Sequence, residues 1–384
     1  MALSLSDFGD AIGRVALVVL VFEQTGSGLA AALVPALSVV PFLGPGQYLT
    51  AHLDRFTRRA VLVSTDVVRA VCFAGMAFPM STGARLALLL VASLAEPPFR
   101  AVRRALTPQT LPDVDYAAGL RITSASTEVA VLAGAAAGGL LTHGIGARPV
   151  MALNAATFVA SGLLLASMKA GRTRAEGGES SANARLRAGL RALRSDPIVR
   201  VTVLGFPAMS AAALGIEALV APFVAESLHR DARWVGLLGS AVSIGVLLGA
   251  AAARARSDHP RTLAQMWHLG LLGSTVACAA FLLPTSVFTA LVAFGAVGIV
   301  YSSRVPSQVL YGQRIPDSAL AAASSLADGV YASCVAVASV SAGALADAVG
   351  PRTAAISLTA FGAVAAVAVA IAARPATRAV SSGA

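Results

Sequence analysis

The chain has 384 residues, of which 57% are hydrophobic and 12% are charged, with a mean hydropathy of +0.76. Soluble globular domains carry about 25% charged residues, so this composition leaves too little polar surface for a water-soluble fold. The net charge of +10 does not indicate nucleic-acid binding, because the basic residues lie in short breaks between apolar segments, as in cytoplasmic loops of membrane proteins.

Twelve apolar segments follow one another along the chain, each close to the roughly 20 residues that a transmembrane helix needs. No small-residue cleavage site follows the first segment, so we interpret it as a span rather than as a signal peptide. The predicted spans cover residues 3–22, 28–50, 60–80, 84–101, 117–142, 147–168, 198–225, 234–253, 262–283, 285–303, 319–345 and 352–373.

The breaks between the predicted spans differ in their basic charge. Alternate segments, beginning with the break after the second span, carry 21 arginines and lysines, whereas the segments on the opposite side carry five. Because cytoplasmic loops are enriched in Lys and Arg, this difference predicts a multi-pass protein of the cell membrane with both termini in the cytoplasm.

A shift of 204 residues aligns the chain with itself, for example Arg100 with Arg304 and Gln109 with Gln313. A constant offset predicts two halves of six helices in the same order and orientation, with a binding site between them near mid-membrane. We therefore predict an all-α integral membrane fold of about 12 transmembrane helices in two pseudo-symmetric halves. The other aligned pairs are Asp54 and Asp258, Leu106 and Leu310, Pro112 and Pro316, Asp113 and Asp317, Gly139 and Gly343, Gly146 and Gly350, and Arg148 and Arg352.

Composition places a linker between the two halves. We predict an N-terminal half at residues 1–168, a cytoplasmic linker at 169–197, a C-terminal half at 198–373 and a cytoplasmic tail at 374–384. The second part of the linker has leucines at helical spacing among arginines, a pattern that fits either a helix on the anionic inner membrane surface or a solvated connector helix. Those leucines are Leu186, Leu190 and Leu193.

Residues 50–59, after the second span, read Thr-Ala-His-Leu-Asp-Arg-Phe-Thr-Arg-Arg. This segment resembles the Gly-x-Leu-Ala-Asp-Arg-x-Gly-Arg-Arg signature of the major facilitator superfamily, with Thr50 and Thr57 in place of the two glycines. The resemblance implies a conformational latch on the cytoplasmic side, and the alternative is a charge cluster that only sets topology. The residues that match the signature are Asp54, Arg55, Arg58 and Arg59.

Three further segments, residues 23–27, 66–69 and 103–112, resemble the drug- and siderophore-exporter branch of this superfamily, which contains enterobactin-exporter-like proteins. Residues 134–139, Gly-Ala-Ala-Ala-Gly-Gly, resemble its antiporter motif, although Ala135 stands where the motif has proline. The resemblance implies the major facilitator fold and export by antiport. Close packing of small residues between helices explains the glycines equally well.

Charged residues inside the predicted spans need a role, because a charge at the bilayer centre costs at least about 2.5–3.5 kcal/mol. Asp10 and Arg14 lie one turn apart in the first span, and Asp66 and Arg69 are spaced similarly in the third, so we predict two intramembrane ion pairs. For the second pair we expect a structural role beside Asp54. For Asp10, a role with substrate or protons is the alternative to a self-neutralised pair.

Glu128, Glu217 and Asp328 lie in the spans without an opposite charge within one helical turn. Desolvation favours the neutral form of such a group, which can then exchange a proton near neutral pH. We predict Glu128 as the first proton carrier, with Asp10, Glu217 and Asp328 as alternates. A latch role is also open for Asp328.

The sequence shows no phosphate-cradling glycine loop, no Walker-type lysine and no nucleophile–base constellation, and its histidines and cysteines form no metal-ligand pattern. We therefore expect no enzymatic activity, no cofactor and no metal. The expected partners are a small-molecule substrate, protons and the lipid bilayer, without nucleic acid, and we expect a monomer.

Together these patterns predict a secondary active transporter that exports a small amphipathic compound in exchange for protons by alternating access. Two alternatives stay open. One is a uniporter or uptake carrier on the same fold, and the other is a non-transporting membrane sensor, which the departures at Thr50, Thr57 and Ala135 allow. The sequence names neither the substrate nor the coupling ion.

Overall fold

The computed structural model describes residues 2–53, 56–110, 116–167, 182–253 and 259–381. Within these ranges the regular elements are helices joined by short turns, without a strand. The predicted all-α fold is thus confirmed. Its physical basis is that backbone polar groups in lipid must be satisfied internally, which long apolar helices achieve.

The helices group into two compact units. The first runs to residue 178 and includes residues 229–240, and the second contains residues 179–228 and 241–384. The helices before the linker are α1 (Ala2–Thr25), α2 (Gly28–Val39), α3 (Pro45–Leu53), α4 (Arg58–Met76), α5 (Thr82–Leu94), α6 (Glu96–Thr110), α7 (Tyr116–Ile145) and α8 (Ala147–Ser167). Those that follow are α9 (Ala182–Ser195), α10 (Pro197–Ala218), α11 (Val220–Pro222), α12 (Arg233–Ala252), α13 (His259–Leu282), α14 (Val287–Ser302), α15 (Arg304–Arg314), α16 (Asp317–Val349) and α17 (Pro351–Ser381).

Each predicted span coincides with a helix or with an interrupted run of helices. Within the described ranges, seven helices are long and apolar enough to cross a membrane. The helices of the other spans are shorter, broken or more charged. The second span, for example, breaks at Pro41, where a 3-10 turn (Val40–Leu43) follows α2, because proline has no backbone N–H to donate. The seven apolar spans are Ser126–Ile145, Ala147–Ser167, Pro197–Ala218, Arg233–Ala252, Ala264–Leu282, Ala322–Val349 and Pro351–Ala372.

Both units contain the same turn between two long helices. Gly146 separates α7 from α8 with a φ of 85°, and Gly350 separates α16 from α17 with a φ of 84°. A positive φ favours glycine, which has no Cβ. The two glycines lie 204 residues apart, so this turn supports the internal repeat.

Helix α9, in the predicted linker, packs against α16. Gly189 is buried there, and a Cβ on it would lie 2.8 Å from the carbonyl carbon of Ala322. Leu193 is buried in a cluster with Val203, while Leu190 is 39% exposed. One face of α9 therefore packs into the second unit. Neither a helix on the membrane surface nor a solvated connector helix would need this contact.

Candidate functional site

The charged residues of the first unit meet at a buried arginine. Arg69 on α4 is 4% exposed, and its Nη2 donates a hydrogen bond of 3.0 Å to Oδ2 of Asp10 on α1. Its guanidinium carbon lies 5.0 Å from the ring centre of Phe158 and 5.4 Å from that of Phe99. An ion pair and two aromatic faces together hold this arginine in place.

A second carboxylate approaches the same arginine from α6. Oε2 of Glu96 lies 3.9 Å from Nη2 of Arg69, and its other oxygen, Oε1, binds Arg100 one turn further along α6. Arg69 therefore connects α1, α4 and α6. Glu96 also forms an ion pair with Arg100, so Arg69 is not the sole cation that stabilises its charge among the described residues.

A separate set of polar contacts links α1, α6 and α7. Nη1 of Arg103 donates to both oxygens of Asp7 at 2.9 and 2.8 Å, and its Nη2 donates to Oγ1 of Thr127 at 2.6 Å. Thr127 donates in turn to Asp7 at 3.1 Å. Glu128, the predicted first proton carrier, follows Thr127 on α7 and is partly buried. The forked arginine contact fixes the rotation of the three helices.

The structure pairs the charges of α1 and α4 differently from the sequence prediction. Asp10 binds Arg69 rather than Arg14, whose side chain is exposed. Within the described residues, Arg69 forms ion pairs with Asp10 and Glu96 and none with Asp66. The spacing used in the prediction identifies residues on the same face of one helix. The buried Arg69 guanidinium instead binds carboxylates on two neighbouring helices, α1 and α6.

Asp66 is consequently a buried acid. It is 1% exposed, and within the described part of the chain neither of its carboxylate oxygens has a hydrogen-bond partner. Polar groups buried in native proteins are rarely without partners, so this carboxyl requires a physical explanation.

The predicted cytoplasmic latch lies partly outside the described residues, since Asp54 and Arg55 are not among them. Arg59, at the start of α4, donates a hydrogen bond to the carbonyl of Ala166 near the end of α8. Nη1 of Arg58 is buried, with no hydrogen-bond partner among the described residues. The latch function of this loop stays a prediction.

The glycines of α7 hold this helix close to α1. A Cβ on Gly134 would lie 2.5 Å from the carbonyl oxygen of Phe8, and one on Gly138 would lie 3.0 Å from Cα of Ile12. Small residues at these positions let the two backbones approach closely. Helix packing thus accounts for the glycines that resemble the antiporter motif at residues 134–139.

In the second unit, the two other candidate carboxylates have partners. Tyr301 on α14 donates a hydrogen bond of 3.0 Å to Oε2 of Glu217 on α10. Asp328 on α16 lies 3.9 Å from Nη2 of Arg304 on α15. Both partners lie on other helices, so the absence of an opposite charge within one turn of the same helix does not leave either carboxylate without a partner.

Arg304 and Asp328 border a narrow cleft in the second unit. The ring of Tyr331 lies 5.5 Å from the Arg304 guanidinium and stacks on Phe206, with 5.5 Å between ring centres. Small-molecule sites have volumes of about 300–1,000 Å³ and combine apolar walls with a few polar groups. The cleft has such a lining, but at about 30 Å³ it is too small in this conformation to hold such a molecule. The other lining residues are Thr202, Val203, Pro207, Ser307 and Ala327.

Asp196 ties the start of α10 to the end of α15. Its Oδ1 accepts a hydrogen bond of 2.7 Å from the backbone N–H of Ile198, and its Oδ2 accepts one of 2.6 Å from Arg314. Burial alone would raise the pKa of Asp196, but these hydrogen bonds to its charged form hold the pKa of this carboxyl below its usual range.

Glu96 and Arg103 are central to these contacts, although neither is a predicted site residue. The i,i+4 spacing of Glu96 and Arg100 is a local signal for an ion pair. By contrast, Arg103 and Asp7 lie 96 residues apart, and no local pattern indicates their contact.

Comparisons with known proteins agree with this architecture. The sequence profile of the Major Facilitator Superfamily matches residues 1–251. An uncharacterized MFS-type transporter of Bacillus subtilis (strain 168), YjbB, is 26% identical over 246 residues, which cover 62% of this chain and 60% of that protein. The match thus spans less than two thirds of the relative's length.

Solved structures of transporters resemble the chain over nearly its whole length. The nucleoside transporter NupG has a TM-score of 0.74 at 13% identity and covers 97% of this chain and 98% of its own. A bacterial homolog of the human lysosomal transporter Spinster, inward-facing and unoccupied, has a TM-score of 0.74 at 15% identity, covering 97% and 96%. A POT family transporter in complex with a thioalcohol-conjugated peptide has a TM-score of 0.72 at 13% identity, covering 98% and 96%. At these identities the likeness shows the fold alone.

Proposed function

The chain belongs to the major facilitator superfamily. We propose that it is a membrane transporter that couples export of a small amphipathic compound to proton entry by alternating access. The observation that carries this proposal is the charged network of the first unit, where carboxylates on α1 and α6 approach one arginine on α4. Charges inside a membrane span are expensive, so their retention favours a functional role.

Proton coupling needs a carboxyl that is neutral in one conformation and charged in another. We assign this role first to Glu128, which lies on α7 beside the contacts of Arg103 and is partly buried. Asp10, bound to Arg69, is the alternate in the first unit. Glu217 and Asp328 are the alternates in the second unit.

The residues that border the cleft of the second unit fit an amphipathic substrate, provided that the cleft widens in another conformation of the transport cycle. It offers one cation, Arg304, and one carboxylate, Asp328, beside the stacked rings of Tyr331 and Phe206. A compound with an apolar ring and a polar or charged group matches these surroundings. All residues that line the cleft belong to the second unit.

Transport into inverted membrane vesicles tests the proposed function. A proton gradient is imposed, and lipophilic cations, dyes and siderophore-like acids are added with and without an uncoupler. We expect at least one compound to accumulate in an uncoupler-sensitive manner, and Glu128→Gln to abolish that accumulation. Glu23→Gln, at an exposed carboxylate near the end of α1, serves as the matched control and should transport normally.

The alternatives predict different results in the same vesicles. Accumulation that does not respond to the uncoupler would favour a uniporter. Binding of a compound without flux would favour a sensor. Proton-driven transport that survives in Glu128→Gln would refute the assignment of this residue while leaving proton coupling intact.

A further inference from the structure

Asp66 on α4 has no role in the ion pairs of the first unit. It is 1% exposed, and neither oxygen has a hydrogen bond of regular geometry to a described residue, although the Ser161 hydroxyl on α8 interacts with the carboxyl. Helix α8 lies in van der Waals contact with it, since a Cβ on Gly162 would lie 3.6 Å from Cβ of Asp66. The acid therefore lies in the contact between α4 and α8, outside the ion pairs of Arg69.

An ionised carboxylate in such surroundings is unstable. Removing a carboxylate from water into a protein interior costs several kcal/mol even after relaxation, whereas the protonated acid carries no net charge. The groups that act on Asp66 are the Ser161 hydroxyl on α8, Arg69 on α4 and Asp10 on α1. Because Arg69 is bound to other carboxylates, it forms no ion pair that would neutralise an ionised Asp66 in this conformation.

Arg69 is the cation that can replace this proton. It follows Asp66 at i,i+3, which places the two side chains on the same face of α4. In this conformation Asp10 and Glu96 hold the guanidinium, and both remain partly accessible, at 18% and 16% exposure. Glu96 also binds Arg100. These two carboxylates keep some solvent contact when Arg69 leaves, whereas Asp66 is 1% exposed.

We propose that Asp66 is a proton-binding residue, and that Arg69 displaces its proton when it leaves Asp10 and Glu96. The O–H bond of Asp66 breaks, the proton passes to water, and the resulting carboxylate pairs with Arg69. Since Asp10 and Glu96 lie on α1 and α6, movement of either helix against α4 controls this exchange. The proposal rests on the proposed transport function and adds a second proton site to the one assigned to Glu128.

Infrared difference spectroscopy on the purified full-length protein detects this proton directly. A protonated carboxyl has a C=O stretch that shifts on exchange of H for D. At neutral pH we expect this band in the wild type, its loss in Asp66→Asn and its retention in Asp10→Asn. Asparagine matches the shape and neutrality of protonated aspartate, so the variant should fold. A band that persists in Asp66→Asn would overturn the proposal.

A second variant makes the test independent of folding in Asp66→Asn. Arg69→Gln removes the cation that displaces the proton, so the Asp66 band should persist to higher pH than in the wild type. A band that titrates identically in Arg69→Gln and in the wild type would contradict the exchange. Glu23→Gln, at the exposed end of α1, should leave the band as it is in the wild type.

Transport distinguishes failure of this proposal from failure of the proposed function. In Asp66→Asn we expect loss of uncoupler-sensitive accumulation but measurable exchange of substrate against substrate, because that exchange needs no proton release. Proton-driven accumulation in Asp66→Asn would refute the role of Asp66 and leave the function standing. Absence of uncoupler-sensitive flux in the wild type would refute the function, and the infrared band would still decide whether Asp66 binds a proton.

Discussion

The ion pair of Asp10 and Arg69 gives a quantitative prediction. Arg69→Gln removes the cation and leaves the Asp10 carboxylate, 18% exposed, without its bonded partner. Breaking a buried ion pair by removing one partner costs about 3–5 kcal/mol. Because Asp10 keeps some solvent contact and Arg14 lies on the same helix, we expect the lower end, about 3 kcal/mol. This loss lowers the folding equilibrium constant by about a hundredfold.

A double-mutant cycle isolates the contribution of the pair. Unfolding in detergent by added denaturant, followed by tryptophan fluorescence, gives the free energy of unfolding for Arg69→Gln, Asp10→Asn and the double variant. Because the double variant leaves no unpaired charge, its loss should be smaller than the sum of the single losses by about 1 kcal/mol or more. Arg191→Gln, on the exposed face of α9, should lie within about 0.5 kcal/mol of the wild type.

Additive effects would refute this reasoning. If the double variant loses the sum of the single losses to within about 0.5 kcal/mol, Asp10 and Arg69 are not coupled in the folded protein. Asp10 and Arg69 would then each be stabilised by other residues. The proposed movement of Arg69 from Asp10 to Asp66 would lose its basis, because Asp10 would not hold the guanidinium.

Three other substitutions test the packing and the polar contacts. Asp196→Ala should cost about 2 kcal/mol, since it removes a helix cap and a charged hydrogen bond. The pKa of Asp196 is lowered in the folded protein, so its stabilising effect is complete above the unfolded pKa and is lost as pH falls through the folded pKa. Denaturant unfolding at several pH values should therefore show that the free-energy difference between the wild type and Asp196→Ala becomes smaller in acid. Gly134→Leu should lower stability in detergent by about 1–3 kcal/mol because its Cβ meets the backbone of α1, whereas Gly144→Leu, where a Cβ has open space, should behave as the wild type in the same thermal-shift assay. Tyr301→Phe removes the hydrogen bond to Glu217 and should cost about 1–3 kcal/mol in denaturant unfolding. The effect should largely disappear when Glu217→Ala, which leaves no acceptor for the hydroxyl, is already present.

The fold could be predicted from the sequence because a membrane restricts the choices. Apolar runs of about 20 residues have few structures open to them in lipid besides helices. The internal repeat could also be predicted, because Gly146 and Gly350 lie 204 residues apart in the sequence. In the structure both occupy the same positive-φ turn. Even the interruption of the second span follows from local chemistry at Pro41.

The partners of the buried charges could not be predicted in this way. Spacing along one helix suggested Arg14 for Asp10 and Arg69 for Asp66, but a buried side chain meets the helices packed around it. Those contacts depend on helix rotation, which the sequence of α1 or α4 alone does not determine. For the same reason, the close contact of Gly189 with α16 was not expected from the polar character of the linker.

The central claim is that the compound moves in exchange for protons. Purified protein in liposomes with an entrapped pH indicator tests it most directly, using a compound found in the vesicle screen and no imposed gradient. We predict that entry of the compound makes the lumen more alkaline in the wild type, beyond the change in protein-free liposomes. Entry of the compound with a pH trace identical to that of protein-free liposomes would contradict proton exchange and would favour a uniporter.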